Sequence, residues 1–129
     1  MYLDDWITFD RRSIFRETEL GIVIRKDNMS WAKFAIEALQ QGKTVKIKPR
    51  GHSMKGKVND GDIVTLAPVD PQKLVAGDIV LVRVKGHDYL HLVKAINNGR
   101  FLIGNNRGGV NGWVGHNCIY GIAVNVEAP

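Results

Sequence analysis

Ser53 and His91 are the two residues of this 129-residue chain whose chemistry stands out. A serine hydroxyl is a weak nucleophile until a base lies within hydrogen-bond reach, and an imidazole titrating near neutrality is well suited to take its proton. Ser53 follows Gly51 and His52 at the end of a predicted strand, where backbone N–H groups could line an oxyanion hole. His91 lies mid-strand between Leu90 and Leu92, so its ring points to the face opposite those leucines. Lys94 competes as a base, since a desolvated lysine can serve, but three residues on it projects to the other face from His91. His52 neighbours Ser53 in an extended chain and points the other way, toward the rim of a substrate cleft. His87 falls at a hairpin tip, and His116 has no assigned partner. No histidine spacing suits a metal, and the lone Cys118 makes neither a disulfide nor a cysteine-based zinc site, so no metal and no cofactor are expected.

The elements that must carry these residues follow from periodicity. Trp31, Phe34, Ala35, Ala38 and Leu39 recur at helical spacing; with Ser30 as a cap and Gly42 as a left-handed stop, they predict a helix from Trp31 to about Gln41. After Gly42 the period becomes two: Val45 and Ile47 alternate with Lys46 and Lys48 until Pro49 and Gly51 break the strand. Further strands are predicted at Ile63 to Ala67, Asp78 to Lys85, Tyr89 to Ile96, Phe101 to Ile103 and Ile119 to Val126. Lys85-Gly86-His87-Asp88 and Asn97-Asn98-Gly99 read as hairpin turns, giving an antiparallel meander. Gly104 to Gly112 reads as a loop. Residues 1 to 29 lack sustained periodicity, with a short strand at Leu20 to Arg25. The fold class is mainly β: antiparallel strands with one N-terminal helix. A segment 1–43 packs on the domain formed by 44–129.

Bulk properties fit one ordinary domain. The hydrophobic fraction of 44% and charged fraction of 24% are near globular averages and exclude disordered, collagen-like and coiled-coil classes. The formal charge of +5 is spread along the chain. Lys46, Lys48 and Arg50 share one strand face, which reads as a solvated face; nucleic acid is not expected as a partner, and were it one, binding would weaken steeply with salt. No apolar run approaches the roughly 20 residues that span a bilayer, and Asp4, Asp5 and Asp10 stand where a signal peptide would be basic, so a cytoplasmic location and no membrane span are expected.

Four ordered pieces carry a resemblance: Gly51-His52-Ser53-Met54, Asp60-Gly61-Asp62-Ile63-Val64, Ala76-Gly77-Asp78-Ile79-Val80 and Leu90-His91-Leu92-Val93. In order and spacing this resembles the S24/S26 superfamily of LexA-like and signal-peptidase-like serine peptidases over about residues 44 to 126. The resemblance implies a LexA/signal-peptidase-like β domain, Ser53 as nucleophile with its own amide toward the oxyanion, and His91 at the position of the general base, as in the Ser-His type. Gly51, His52 and Met54, flanking the serine, are assigned to the substrate cleft. The family's G-D-N/D segment, which supplies the acid that orients the histidine, corresponds to Gly104-Asn105-Asn106. Asn105 and Asn106 are therefore expected to orient His91, with Asp78 and Asp88 as alternative acids. An asparagine can hold an imidazole but does not stabilise the imidazolium as a carboxylate does. Gly56 stands where the family usually has proline, and Leu92 where it has arginine.

Only about 45 residues with one helix precede the domain, too few for the helix-turn-helix of a LexA-like repressor. The only Ala-Gly bond, Ala76–Gly77, lies in the turn that opens a strand, where self-cleavage would destroy the fold. The expected function is that of a soluble serine endopeptidase acting in trans on a peptide or protein substrate through a Ser53–His91 dyad. The alternative is a catalytically inactive module that binds peptides or forms a homodimer by the same edge.

Overall fold

The computed structural model describes residues 2–8 and 28–129, with residues 2–8 and 28–32 described by their backbone. The strand expected at Leu20 to Arg25 lies outside the described residues. The elements are β1 (Tyr2–Thr8), α1 (Asn28–Gln40), β2 (Val45–Arg50), β3 (Ile63–Ala67), β4 (Ile79–Val84), β5 (His87–Asn97), β6 (Arg100–Gly104), β7 (Val110–Val114) and β8 (Ile119–Glu127). The strands form one antiparallel sheet in the order β1-β2-β3-β8-β4-β5-β6-β7. The protein is a mainly β fold with a single helix among the described residues, as the residue patterns imply.

The helix begins at Asn28, so Ser30 lies inside its first turn rather than capping it. It ends where expected: Gly42 takes φ +84°, and the Gly42 and Lys43 amides donate to the Leu39 and Ala38 carbonyls at 3.0 and 2.9 Å. Its apolar face (Ala35, Ile36, Ala38, Leu39) is buried against Val45, Ile47, Val64, Leu66, Leu81, Leu90 and Leu92 on one face of the sheet. The sheet's other face closes on itself: Val80, Val82, Val84, Val93, Phe101, Ile103, Val114 and Ile119 form a second cluster. This is possible because the sheet curls until β7 approaches β4 and β1 approaches β5.

Two tight turns set the register that matters. Lys85 (φ +53°) and Gly86 (φ +84°) join β4 to β5, and Asn98 (φ +50°) and Gly99 (φ +75°) join β5 to β6. Both are two-residue turns with positive φ at each centre, the geometry that matches strand twist. The first is two residues tighter than its sequence suggests, and β5 accordingly starts at His87, paired with Val84. Counting from that pair puts His91 opposite Val80, on the face of the second cluster, while Leu90 and Leu92 face the helix side.

Three elements differ from expectation. Pro49 does not stop β2, which runs to Arg50 because β1 pairs along it, Leu3 opposite Pro49 and Tyr2 opposite Arg50. β1 itself arises in a segment without readable periodicity. The loop expected over 104–112 is partly strand: Val110–Val114 forms β7 at the sheet's edge.

Candidate active site

Ser53 opens a run of turns between β2 and β3. The Lys55 amide donates to the His52 carbonyl at 3.1 Å, and the Lys57 and Val58 amides both donate to the Met54 carbonyl at 3.0 and 2.8 Å. The neck of this loop is closed twice, by the Gly51 amide on Asp60 Oδ1 at 2.7 Å and the Gly61 amide on the Pro49 carbonyl at 3.1 Å. Gly51 holds φ +108°, a left-handed conformation that turns the chain off β2 just before the serine. Gly56 takes φ +102°. Proline, fixed near −65°, could not occupy that conformation, so the exchange of proline for glycine reflects a differently built turn.

Met54 corrects an expectation. Its side chain is fully buried with Val45, Val58 and Leu90 and anchors the serine loop in the core instead of lining a cleft. Successive residues of a turn diverge, so Met54 goes inward while Ser53 stays half-exposed and His52 exposed beside it.

Across the fold, His91 Nε2 lies 3.3 Å from Ser53 Oγ, and His91 Nδ1 lies 2.7 Å from Asn111 Oδ1. The amide oxygen can only accept, so Nδ1 carries the ring proton and Nε2 presents its lone pair toward the serine hydroxyl. That is the tautomer a general base requires. His91 is 3% exposed. Burial, the largest influence, pushes its pKa down from 6.5 to about 4; the charge of the N-terminus and, less, that of Lys94 add to the depression, and the bond to Asn111 opposes it. The imidazole is neutral at physiological pH.

The residue that meets His91 Nδ1 is Asn111, and not the Asn105 or Asn106 expected from the sequence. Asn105 Oδ1 accepts the Arg107 and Gly109 amides at 2.9 and 2.8 Å and so shapes its own loop. Asn106 works on the serine side: its backbone amide donates to the Ser53 carbonyl at 2.9 Å and its Nδ2 to the Lys55 carbonyl at 2.8 Å, stapling the β6–β7 loop to the serine loop. Asn111 reaches the histidine because of a bulge. Gly104 pairs with Val110 and Ile103 with Gly112, which leaves Asn111 as the extra residue, turned onto the face of His91. A bulge inside a Gly- and Asn-rich stretch leaves no periodic signal; the alternation resuming at Trp113 and Val114 is the only hint of a strand there.

The alternative acids are engaged elsewhere. Asp88 pairs with Arg83 through two bonds of 2.8 and 3.1 Å, and Asp78 Oδ2 accepts the Val75 amide at 2.9 Å. Lys94 is the extra residue of a second bulge, between Val93 and Ala95, and its aliphatic chain lies against Gly104, on the face opposite His91. His87 and His116 are exposed. Among the described residues no three of His, Cys, Asp and Glu gather as metal ligands, and no helix is long and apolar enough to cross a membrane.

A hydroxyl on a tight loop, an oriented neutral imidazole and a curled antiparallel sheet together define a serine-peptidase-like domain. Residues 7–111 match the model of the Peptidase S24-like family, and the chain belongs to that family. No curated protein gives a significant match.

Proposed function

We propose that this protein is a serine endopeptidase that hydrolyses a peptide bond in trans with Ser53 as nucleophile and His91 as general base. The observation that carries this reading is the relay Ser53 Oγ, His91 Nε2, His91 Nδ1, Asn111 Oδ1, with spacings of 3.3 and 2.7 Å. In the reaction the Oγ–H bond breaks as the Nε2–H bond forms, and the oxygen attacks the substrate carbonyl. The imidazolium then returns that proton to the leaving amine, and a water molecule activated by the same nitrogen releases the acyl group. The family resemblance points to Ser53's own N–H as the oxyanion donor. An extended substrate would pair with an exposed strand, gaining backbone recognition with little demand on its sequence.

The depressed pKa of His91 and the neutral character of Asn111 describe a base ready at neutral pH but weak. The reading therefore includes slow turnover. Incubation of the protein with a denatured-protein digest, followed by mass spectrometric search for new termini, should reveal cleavages that vanish in Ser53→Ala and in His91→Ala. Cleavage that persists in both variants, or none from the intact chain, would leave a peptide-binding module in its place.

A further inference from the structure

Proton transfer from Ser53 would create a cation at His91, in a place shielded from water, where Ser53 Oγ and Asn111 Oδ1 lie against the ring's two nitrogens. A third neighbour meets the ring by its face. Tyr89 precedes His91 by two residues on β5 and therefore shares its side of the sheet. The two rings are stacked, centroids 4.8 Å apart and planes inclined by 19°. Tyr89 sits opposite Val82 and, half-buried, packs against the second cluster.

An arene carries negative charge density on its faces, and a cation within about 6 Å of the ring centroid is attracted to it, more strongly where water is excluded. The interaction grows when the imidazole gains its proton and is weak before, the condition for lowering a barrier and not merely tightening a ground state. Resting on the serine-peptidase reading, we propose that Tyr89 is a positioning residue whose ring face stabilises the His91 imidazolium as it forms. Tyr89 exchanges no proton in this role. The charged and titratable groups act otherwise: the N-terminus and, less, Lys94 oppose a positive His91, and His87 meets Tyr89 at its outer side with centroids 6.4 Å apart and a tilt of 58°.

The test compares Tyr89→Phe, Tyr89→Leu and pentafluorophenylalanine at position 89, each in the full chain and each checked by thermal melting. Phenylalanine keeps the face, leucine keeps comparable burial without it, and the fluorinated ring keeps the shape while reversing the quadrupole. His91 is titrated by NMR, which needs no catalysis, and acylation of Ser53 by a fluorophosphonate is timed in parallel. Tyr89→Phe should match the parent. Leucine and the fluorinated ring should lower the proton affinity of His91 about tenfold and slow acylation about 5- to 30-fold, the range expected of such contacts. Equal His91 titration in all folded variants would overturn the proposal. A parent protein that is never acylated would instead defeat the peptidase reading, while the titration would still decide whether the ring face acts on His91.

Discussion

His91 Nδ1 finds an amide oxygen, and that fixes what the dyad can do and at which pH. An acceptor at Nδ1 selects the useful tautomer, but a neutral one offsets burial only in part, and the pKa settles at about 4. The acid limb of any Ser53-dependent rate should accordingly fall near pH 4 and not near 6.5. Asn111→Asp keeps the oxygen in place and adds a negative charge. A carboxylate there favours the protonated ring, so the pKa of His91 must rise and the acid limb must move to higher pH. The rate above that limb should increase by about 100-fold or more, since exchange of carboxylate for amide in a triad costs several orders of magnitude. A pH–rate profile of acylation for parent and variant reads both effects. Because the parent retains the productive tautomer, only imidazolium stabilisation is being restored, which is why the gain is smaller than in triads whose tautomer is also lost.

At the scale of elements, the site is assembled from a turn, a strand centre and a bulged edge. The turn is anchored by Met54, and this separates a core role from a cleft role in one substitution. Met54→Ala should destabilise the fold by about 2–5 kcal/mol, as large-to-small changes in a closed core do. Urea unfolding would measure this; a residue of an open cleft would cost almost nothing. The same contrast explains what the sequence made legible. Strands β2 to β6 and β8 show their period or their turn residues, and the position of His91 follows from a count along β5. The serine and the histidine were legible from their chemistry together with the ordered motifs of the family resemblance. Asn111 could not, because a bulge inserts one residue without changing composition, and two asparagines nearer the family's acidic position drew the assignment instead. β1 was equally hidden, since an edge strand that pairs on one side needs no strict alternation.

At the scale of the whole molecule, burying a neutral imidazole ties folding to pH. The folded-state pKa of about 4 lies below the unfolded value of 6.5, so between them the unfolded chain binds the extra proton. The contribution of His91 to stability is therefore fully present above about pH 6.5 and is lost as pH falls through 4. The loss is about 3 kcal/mol once both states are protonated. Urea midpoints at pH 7 and pH 4 should diverge more for the parent than for His91→Gln, which has no proton to take up. An equal divergence would mean that the ring is not buried neutral. The two loops that meet at the site, held together by Asn106 on the carbonyls of Ser53 and Lys55, also make the geometry a property of the intact fold. The most direct measurement of the central claim is the reaction of the purified chain with a fluorophosphonate at pH 7, with the adduct located by mass spectrometry. The account predicts a single adduct on Ser53, absent in His91→Ala under the same conditions. An unmodified Ser53, or labelling that proceeds equally well without the imidazole, would contradict it.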